Sequence, residues 1–113
     1  MNTDCVAIVG LGYVGLPLAV EFGRKFRTIG YDVSQTKVAA YRKLKDPTGE
    51  VSTQDMAASS LLEFTSNAEL IGAADFVIVA VPTPVNKANI PDFSALIEAS
   101  ATVGRYLKSC ATV

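Results

Sequence analysis

The sequence predicts an α/β fold, a parallel sheet doubly wound with helices on both faces. Three observations predict it. Two runs, Cys5–Val9 and Asp75–Val81, are apolar or β-branched almost without a break, as strands buried on both faces are. Glycines follow the first run at Gly10, Gly12 and Gly15, the G-x-G-x-x-G spacing. A second short strand, Thr28–Asp32, ends on an acid 22 positions after Gly10.

Each glycine has a physical task. Gly10 permits the sharp exit from the strand, Gly12 lets a diphosphate approach a backbone that has no Cβ, and Gly15 lets the next helix lie close to the sheet. The helix that starts there points its free N–H groups and its dipole at the phosphates. Leu16, Leu18, Ala19, Val20 and Phe22 give it an apolar face. Pro17 is tolerated in the first turn, where its missing N–H has no intrahelical partner to lose. Asp32 stands at the spacing expected of a carboxylate that binds a ribose. Strand, turn, helix, strand and acid together predict a dinucleotide site of the Rossmann type; the alternative is a purely structural glycine turn.

Beyond Asp32, Ser34 is a candidate N-cap for a helix running to about Lys45, with Val38, Ala39, Tyr41 and Leu44 as its apolar face. Lys37 lies in its first turn, where it is either a contact to the adenosine side of a cofactor or a solvated surface lysine. Asp46–Glu50 is a turn cluster. Ser52 or Thr53 caps a short helix over 54–59, and Leu61–Thr65 reads as a third strand. Asn67–Ile71 reads as a short helix stopped by Gly72.

The strand Asp75–Val81 is expected to be central and parallel, beside the first. It leaves through Pro82-Thr83-Pro84, a rigid extended turn. Ligands of open α/β sheets bind at the carboxyl ends of strands where the strand order reverses, which places Thr83 near a cofactor. After a polar loop, Asp92 caps a helix with Phe93, Leu96, Ile97, Val103 and Leu107 as apolar positions, and Lys108 complements its dipole. Cys110–Val113 opens a further strand. A two-half dinucleotide fold wants about six strands; this chain supplies four and the start of a fifth, in the order 3-2-1-4-5. The expectation is therefore a truncated sheet, 1–113 being one dinucleotide-binding domain and a fragment of a longer protein.

At 113 residues the chain is one domain, and half of its residues are hydrophobic, so disorder is excluded. With a net charge of −1 and no basic stripe, nucleic acid is not an expected partner. No apolar run approaches the ~20 residues of a membrane span, and no secretion signal is read at the N-terminus, which favours the cytoplasm. Cys5 and Cys110 sit in apolar runs and read as small buried hydrophobes in a reducing compartment, with a disulfide or a catalytic thiol as alternatives. With no histidine and no cysteine pair at ligand spacing, no metal site is expected.

The combination of Val9-Gly10-Leu11-Gly12-Tyr13-Val14-Gly15-Leu16-Pro17 with Val81-Pro82-Thr83-Pro84 resembles the N-terminal domain of the UDP-glucose/GDP-mannose dehydrogenase family. Pro91-Asp92-Phe93 and the helix carrying Ala99-Ser100-Ala101-Thr102-Val103-Gly104 make it similar to the bacterial UDP-N-acetyl-hexosamine 6-dehydrogenases of surface polysaccharide synthesis. The resemblance covers essentially the whole chain. It implies an oxidoreductase that converts the C6 alcohol of a UDP-sugar to a carboxylate with two NAD in succession, and that is homo-oligomeric at full length.

Residue by residue, the resemblance implies that Gly10, Leu11, Gly12, Tyr13, Val14 and Gly15 hold the pyrophosphate. Asp32 binds the adenine ribose, with Lys37 nearby. Val81, Pro82 and Thr83 line the path to the nicotinamide. The family's catalytic cysteine, its supporting lysine and its sugar-nucleotide domain lie downstream of the matched region, so no catalytic residue is expected here. Cys5 and Cys110 do not match the nucleophile's context. Asp32 repels a 2′-phosphate and Val33 is no arginine to receive one, so NAD is expected over NADP. The competing classes are a regulatory nucleotide-sensing module and an FAD domain.

Overall fold

The computed structural model describes residues 4–47, 49, 51–81, 90–109 and 111–113. Four strands, β1 (Cys5–Val9), β2 (Arg27–Tyr31), β3 (Leu62–Thr65) and β4 (Phe76–Val79), form one parallel sheet in the order β3-β2-β1-β4. An isolated parallel bridge between Phe76 and Thr112 sets the last described residues against the outer edge of β4. The expected order 3-2-1-4, with a fifth strand beginning beside the fourth, is the order found. β4 is less central than expected: Phe76 is exposed, because only that single bridge covers its outer edge among the described residues.

β1 explains its own sequence. Val6 and Ile8 pack on one face with α1 (Gly15–Phe22), α2 (Gln35–Arg42) and α3 (Thr53–Ala58), through Leu16, Val20, Val38, Tyr41 and Met56. Cys5, Ala7 and Val9 pack on the other face with Ile71 of the 3-10 helix Ala68–Ala73 and with Ala99 and Val103 of α4 (Ser94–Tyr106). Both faces of the strand are dry, so alternation would have placed polar groups in one of two cores.

Two helix starts, at Ser34 and Ser52, follow the capping reading, and a third cap, Asn67, is added by the structure. Ser34 accepts from the Lys37 amide, Ser52 from the Asp55 amide, and Asn67 from the Glu69 amide. Four further expectations are corrected. α2 ends at Arg42, three residues before Lys45, where Leu44 takes a positive φ of 61°. Gly72 does not stop the 3-10 helix but lies within it. A Cβ there would come within 2.9 Å of the Tyr106 carbonyl oxygen, so the glycine serves close approach to the end of α4.

Asp92 sits one residue ahead of the α4 N-cap, Phe93, and accepts from the Ser94 amide. The buried residues of α4 are Ala99 and Val103, one turn apart, whereas Phe93, Leu96 and Ile97 are exposed. Small Ala99 brings the helix close to the sheet along that narrow stripe, and the larger residues flank it. Pro82, Thr83, Pro84 and Cys110 lie outside the described residues.

Candidate functional site

The carboxyl end of β1 is where the strand order reverses, with β2 on one side and β4 on the other. Such a reversal opens a crevice between the connections that leave the sheet. The turn 10–15 emerges into it. Gly10 has φ 102°, and a Cβ there would meet the Ala80 carbonyl oxygen at 2.8 Å and Val81 Cγ1 at 2.9 Å. Its amide donates to the Tyr31 carbonyl at 2.8 Å, and the Ala80 amide donates to the Val9 carbonyl at 2.8 Å, so the exit of β1 is tied to both neighbours. A Cβ on Gly15 would fall 1.6 Å from the Gly10 carbonyl oxygen, so α1 starts in backbone contact with the strand exit. At Gly12 a Cβ would meet nothing within 4 Å. The first and third glycines are thus required by the fold, while the second faces open space.

α1 starts without a side-chain cap. Leu16 and Leu18 donate back to the Gly12 and Val14 carbonyls. Among the described residues no carbonyl accepts from the amides of Gly12, Tyr13 or Val14. Tyr13 and Val14 are 71% and 69% exposed, so the start of α1 lies at the surface and not in either core. Unpaired amides at a helix N-terminus favour an anion.

Asp32 follows β2 directly and is buried, at 9% exposure. Its Oδ2 accepts from the Leu11 amide at 2.9 Å and its Oδ1 from the Ser34 amide at 2.9 Å. The acid thereby joins the glycine turn to the start of α2, and each oxygen keeps a lone pair for a further donor. Among the described residues no lysine or arginine pairs with it. Val33, the next residue, and Lys37 of α2 are exposed. The hydroxyl of Tyr41 donates to the Leu11 carbonyl at 2.8 Å in a buried contact. Burial first, then the charges of Asp46 and Asp32, push this phenol up, so it stays a donor. The apolar pattern of α2 marked Tyr41 as core only; a buried tyrosine's need for a hydroxyl partner was the available signal.

Of the residues singled out from the sequence, Gly10–Gly15, Asp32 and Val81 meet at this crevice, while Lys37 is exposed in the first turn of α2. Pro82 and Thr83 lie outside the described residues. Cys5 is buried at the opposite end of β1, and its thiol is raised chiefly by burial, the opposite of an activated nucleophile. Among the described residues no group of acids and cysteines is placed to hold a metal. Among the described residues, a hollow of about 530 Å³ lined by Tyr41, Arg42, Leu44, Leu62 and Phe64 and one of about 330 Å³ lined by Phe22, Phe26, Phe76 and Val113 do not border the turn. The residues fit a dinucleotide: among the described residues a Cβ on Gly12 would meet nothing, the amides around it are unpaired, and the acid is oriented by neutral donors.

Residues 4–113 match the profile of the UDP-glucose/GDP-mannose dehydrogenase family, NAD binding domain. The chain is 47% identical over 107 residues to protein CapL of Staphylococcus aureus, covering 95% of this chain and 25% of that protein. It is 45% identical over 103 residues to the UDP-N-acetyl-D-glucosamine 6-dehydrogenase of Pseudomonas aeruginosa, covering 91% and 24%. Among solved structures it superposes on the NDP-N-acetyl-D-galactosaminuronic acid dehydrogenase of Methanosarcina mazei with a TM-score of 0.84 at 26% identity, covering 96% and 26%. The chain therefore spans about a quarter of the length of the relatives it matches.

Proposed function

The chain belongs to the UDP-glucose/GDP-mannose dehydrogenase family, as an NAD-binding domain, and we propose that it holds the cofactor for an enzyme that oxidises the C6 alcohol of a UDP-sugar to a carboxylate. The sugar proposed is an N-acetyl-hexosamine and the setting bacterial surface polysaccharide synthesis, supported by the identity to a UDP-N-acetyl-D-glucosamine 6-dehydrogenase. The buried free thiol of Cys5 fits the reducing cytoplasm in which this reading puts it. The catalytic cysteine and the sugar-nucleotide site are assigned to sequence outside these 113 residues, in a homo-oligomeric enzyme. On this reading the chain alone is catalytically inert.

Bound NAD supplies the hydride acceptor. The chain's own residues bind and orient it. The amides at Gly12–Val14 and the dipole of α1 take the diphosphate, with Gly10, Leu11 and Gly15 shaping the turn. Asp32 accepts from the ribose hydroxyls, and Lys37 lies alongside the same ribose. Val81, Pro82 and Thr83 border the path to the nicotinamide. The carboxylate of Asp32 repels a 2′-phosphate, which selects NAD over NADP.

The observation that carries this reading is the juxtaposition, among the described residues, of unpaired helix-start amides with a buried acid held by backbone donors. Calorimetric titration of the chain with NAD and NADP tests it. Saturable NAD binding, tighter than NADP, is expected; tighter NADP binding, or turnover of UDP-N-acetyl-glucosamine by the chain alone, contradicts it.

A further inference from the structure

We propose that Tyr41 is a positioning residue for the diphosphate: its hydroxyl holds the Leu11–Gly12 peptide in the one orientation that turns the Gly12 amide outward. This rests on the cofactor reading above and adds a residue to it.

The geometry starts with the peptide itself. In a trans peptide the C=O and the following N–H point in opposite directions, and the described chain has no cis bond. The Leu11 carbonyl points inward, to the Tyr41 hydroxyl at 2.8 Å. The Gly12 N–H of the same plane therefore points away from the core. It has no acceptor among the described residues, and a Cβ on Gly12 would meet nothing within 4 Å.

The preceding peptide is held in the same manner. The Leu11 N–H donates to Asp32, which leaves the Gly10 carbonyl facing the start of α1 at Gly15. The acid fixes one peptide of the turn and the tyrosine fixes the next.

The hydroxyl is held firmly in its turn. The ring of Tyr41 packs on Phe64 with centroids 5.4 Å apart, and the residue is almost wholly buried. Without the hydroxyl, the Leu11 carbonyl is left buried and unpaired. Rotation of the peptide relieves it by sending the oxygen outward, into the space meant for phosphate, and the Gly12 N–H inward. A tyrosine read as core thereby decides whether the turn offers phosphate a donor or an acceptor.

The test compares the chain with its Tyr41→Phe and Phe64→Leu variants. Phe64→Leu disturbs the same ring packing but leaves the hydroxyl. Affinities are measured for NAD, ADP and adenosine, the last lacking any phosphate. For Tyr41→Phe, NAD and ADP are expected to weaken about tenfold and adenosine by less than about twofold. Phe64→Leu is expected to lose comparable thermal stability while keeping the ADP-to-adenosine ratio. In the ligand-free chain the Leu11 and Gly12 amide resonances are expected to move in Tyr41→Phe and stay in Phe64→Leu. In the unaltered chain, inorganic pyrophosphate is expected to shift the Gly12 amide. That measurement stands even if Tyr41→Phe does not fold, and a Gly12 amide unmoved while Tyr13 and Val14 shift overturns the proposal.

Equal weakening of all three ligands in Tyr41→Phe, or unchanged ADP affinity, overturns this inference alone. An unaltered chain that binds none of the ligands overturns the cofactor reading, and this inference with it.

Discussion

Asp32 and Asp75 stand at opposite ends of the same sheet and are used in opposite ways. Each lies one residue outside a strand, Asp32 after β2 and Asp75 before β4. Each accepts at both carboxylate oxygens. Asp75 takes the Cys5 amide at 2.9 Å and the Lys108 ammonium, so it ties β1, β4 and the end of α4 together at the amino edge. Lys108, and then the Cys5 amide, hold its carboxyl below the usual value. Asp32 takes two neutral backbone amides and, among the described residues, no cation. The negative charge at the amino edge is spent within the fold. At the carboxyl edge it is oriented by dipoles and left to meet something else. A carboxylate paired with a cation is a staple; one held by backbone N–H groups beside unpaired amides is a binding group.

The two edges should respond differently to change, and the largest response belongs to Gly15. Gly15→Ala pushes a Cβ to within 1.6 Å of a backbone oxygen, and no side-chain rotation can relieve it. A loss of roughly 4 kcal/mol or more is expected, seen as loss of a cooperative thermal transition by circular dichroism. A stable, NAD-binding Gly15→Ala chain breaks the picture of a carboxyl edge built on backbone contact.

Next are the two acids themselves. In Asp32→Asn one carboxamide must face two backbone N–H groups with a single acceptor atom, so both the turn and the ribose contact suffer. NAD affinity is expected to fall about 10- to 100-fold, at roughly 1.5–3 kcal/mol for a hydrogen bond to a charged group. Asp75→Asn is expected to lower the melting temperature and leave NAD affinity unchanged. If both substitutions weaken NAD alike, the division between staple and binding group is gone. Gly12→Ala sharpens the same division within the turn. Its Cβ meets nothing within 4 Å among the described residues, so the melting temperature is expected to hold, while NAD binding weakens by about tenfold as the methyl takes phosphate space.

How far the sequence displays these edges depends on the range of the interaction. The glycine turn, Asp32 and the strand order are legible because each is a local rule: a spacing, a strand end, a connection of ordinary length. Lys108 shows only its helix-terminal position; its true partner, Asp75, is 33 residues away and enters through tertiary packing. Tyr41 shows the helical period but not its hydroxyl's acceptor, 30 residues back in the turn. α4 misleads in the other direction. Phe93, Leu96, Ile97 and Val103 share the helical spacing of a core face, yet of these only Val103 is buried, and Ala99 joins it. Hydrophobicity locates an apolar side; which part of it touches the sheet depends on how closely a small residue lets the helix approach. Gly72 likewise read as a terminator, because nothing local announces that the end of α4 passes over it.

The smallest effect is a dependence on pH, and its sign follows from Asp75. The folded carboxyl lies below its ordinary 3.8 because Lys108 and the Cys5 amide favour the charged form. The unfolded chain therefore takes up the proton first as pH falls. The stabilisation is complete above that ordinary value and is lost as pH drops through the lower folded one. Asp92, lowered by its bonds to Ser94, adds acid sensitivity of the same sign, so the informative quantity is a difference. Unfolding by urea, for the unaltered chain and for Asp75→Asn, should show a gap at pH 7 that persists to about pH 4 and narrows below it. Added salt should shrink the gap at pH 7, since both partners are partly exposed, with side chains 40% and 34% accessible. A gap that survives undiminished to pH 2 would mean that the amide geometry, not the charge, is what Asp75 contributes. The amino edge would then be held by the same kind of neutral-donor cradle as Asp32, and the contrast in charge would no longer separate the end that stabilises from the end that binds.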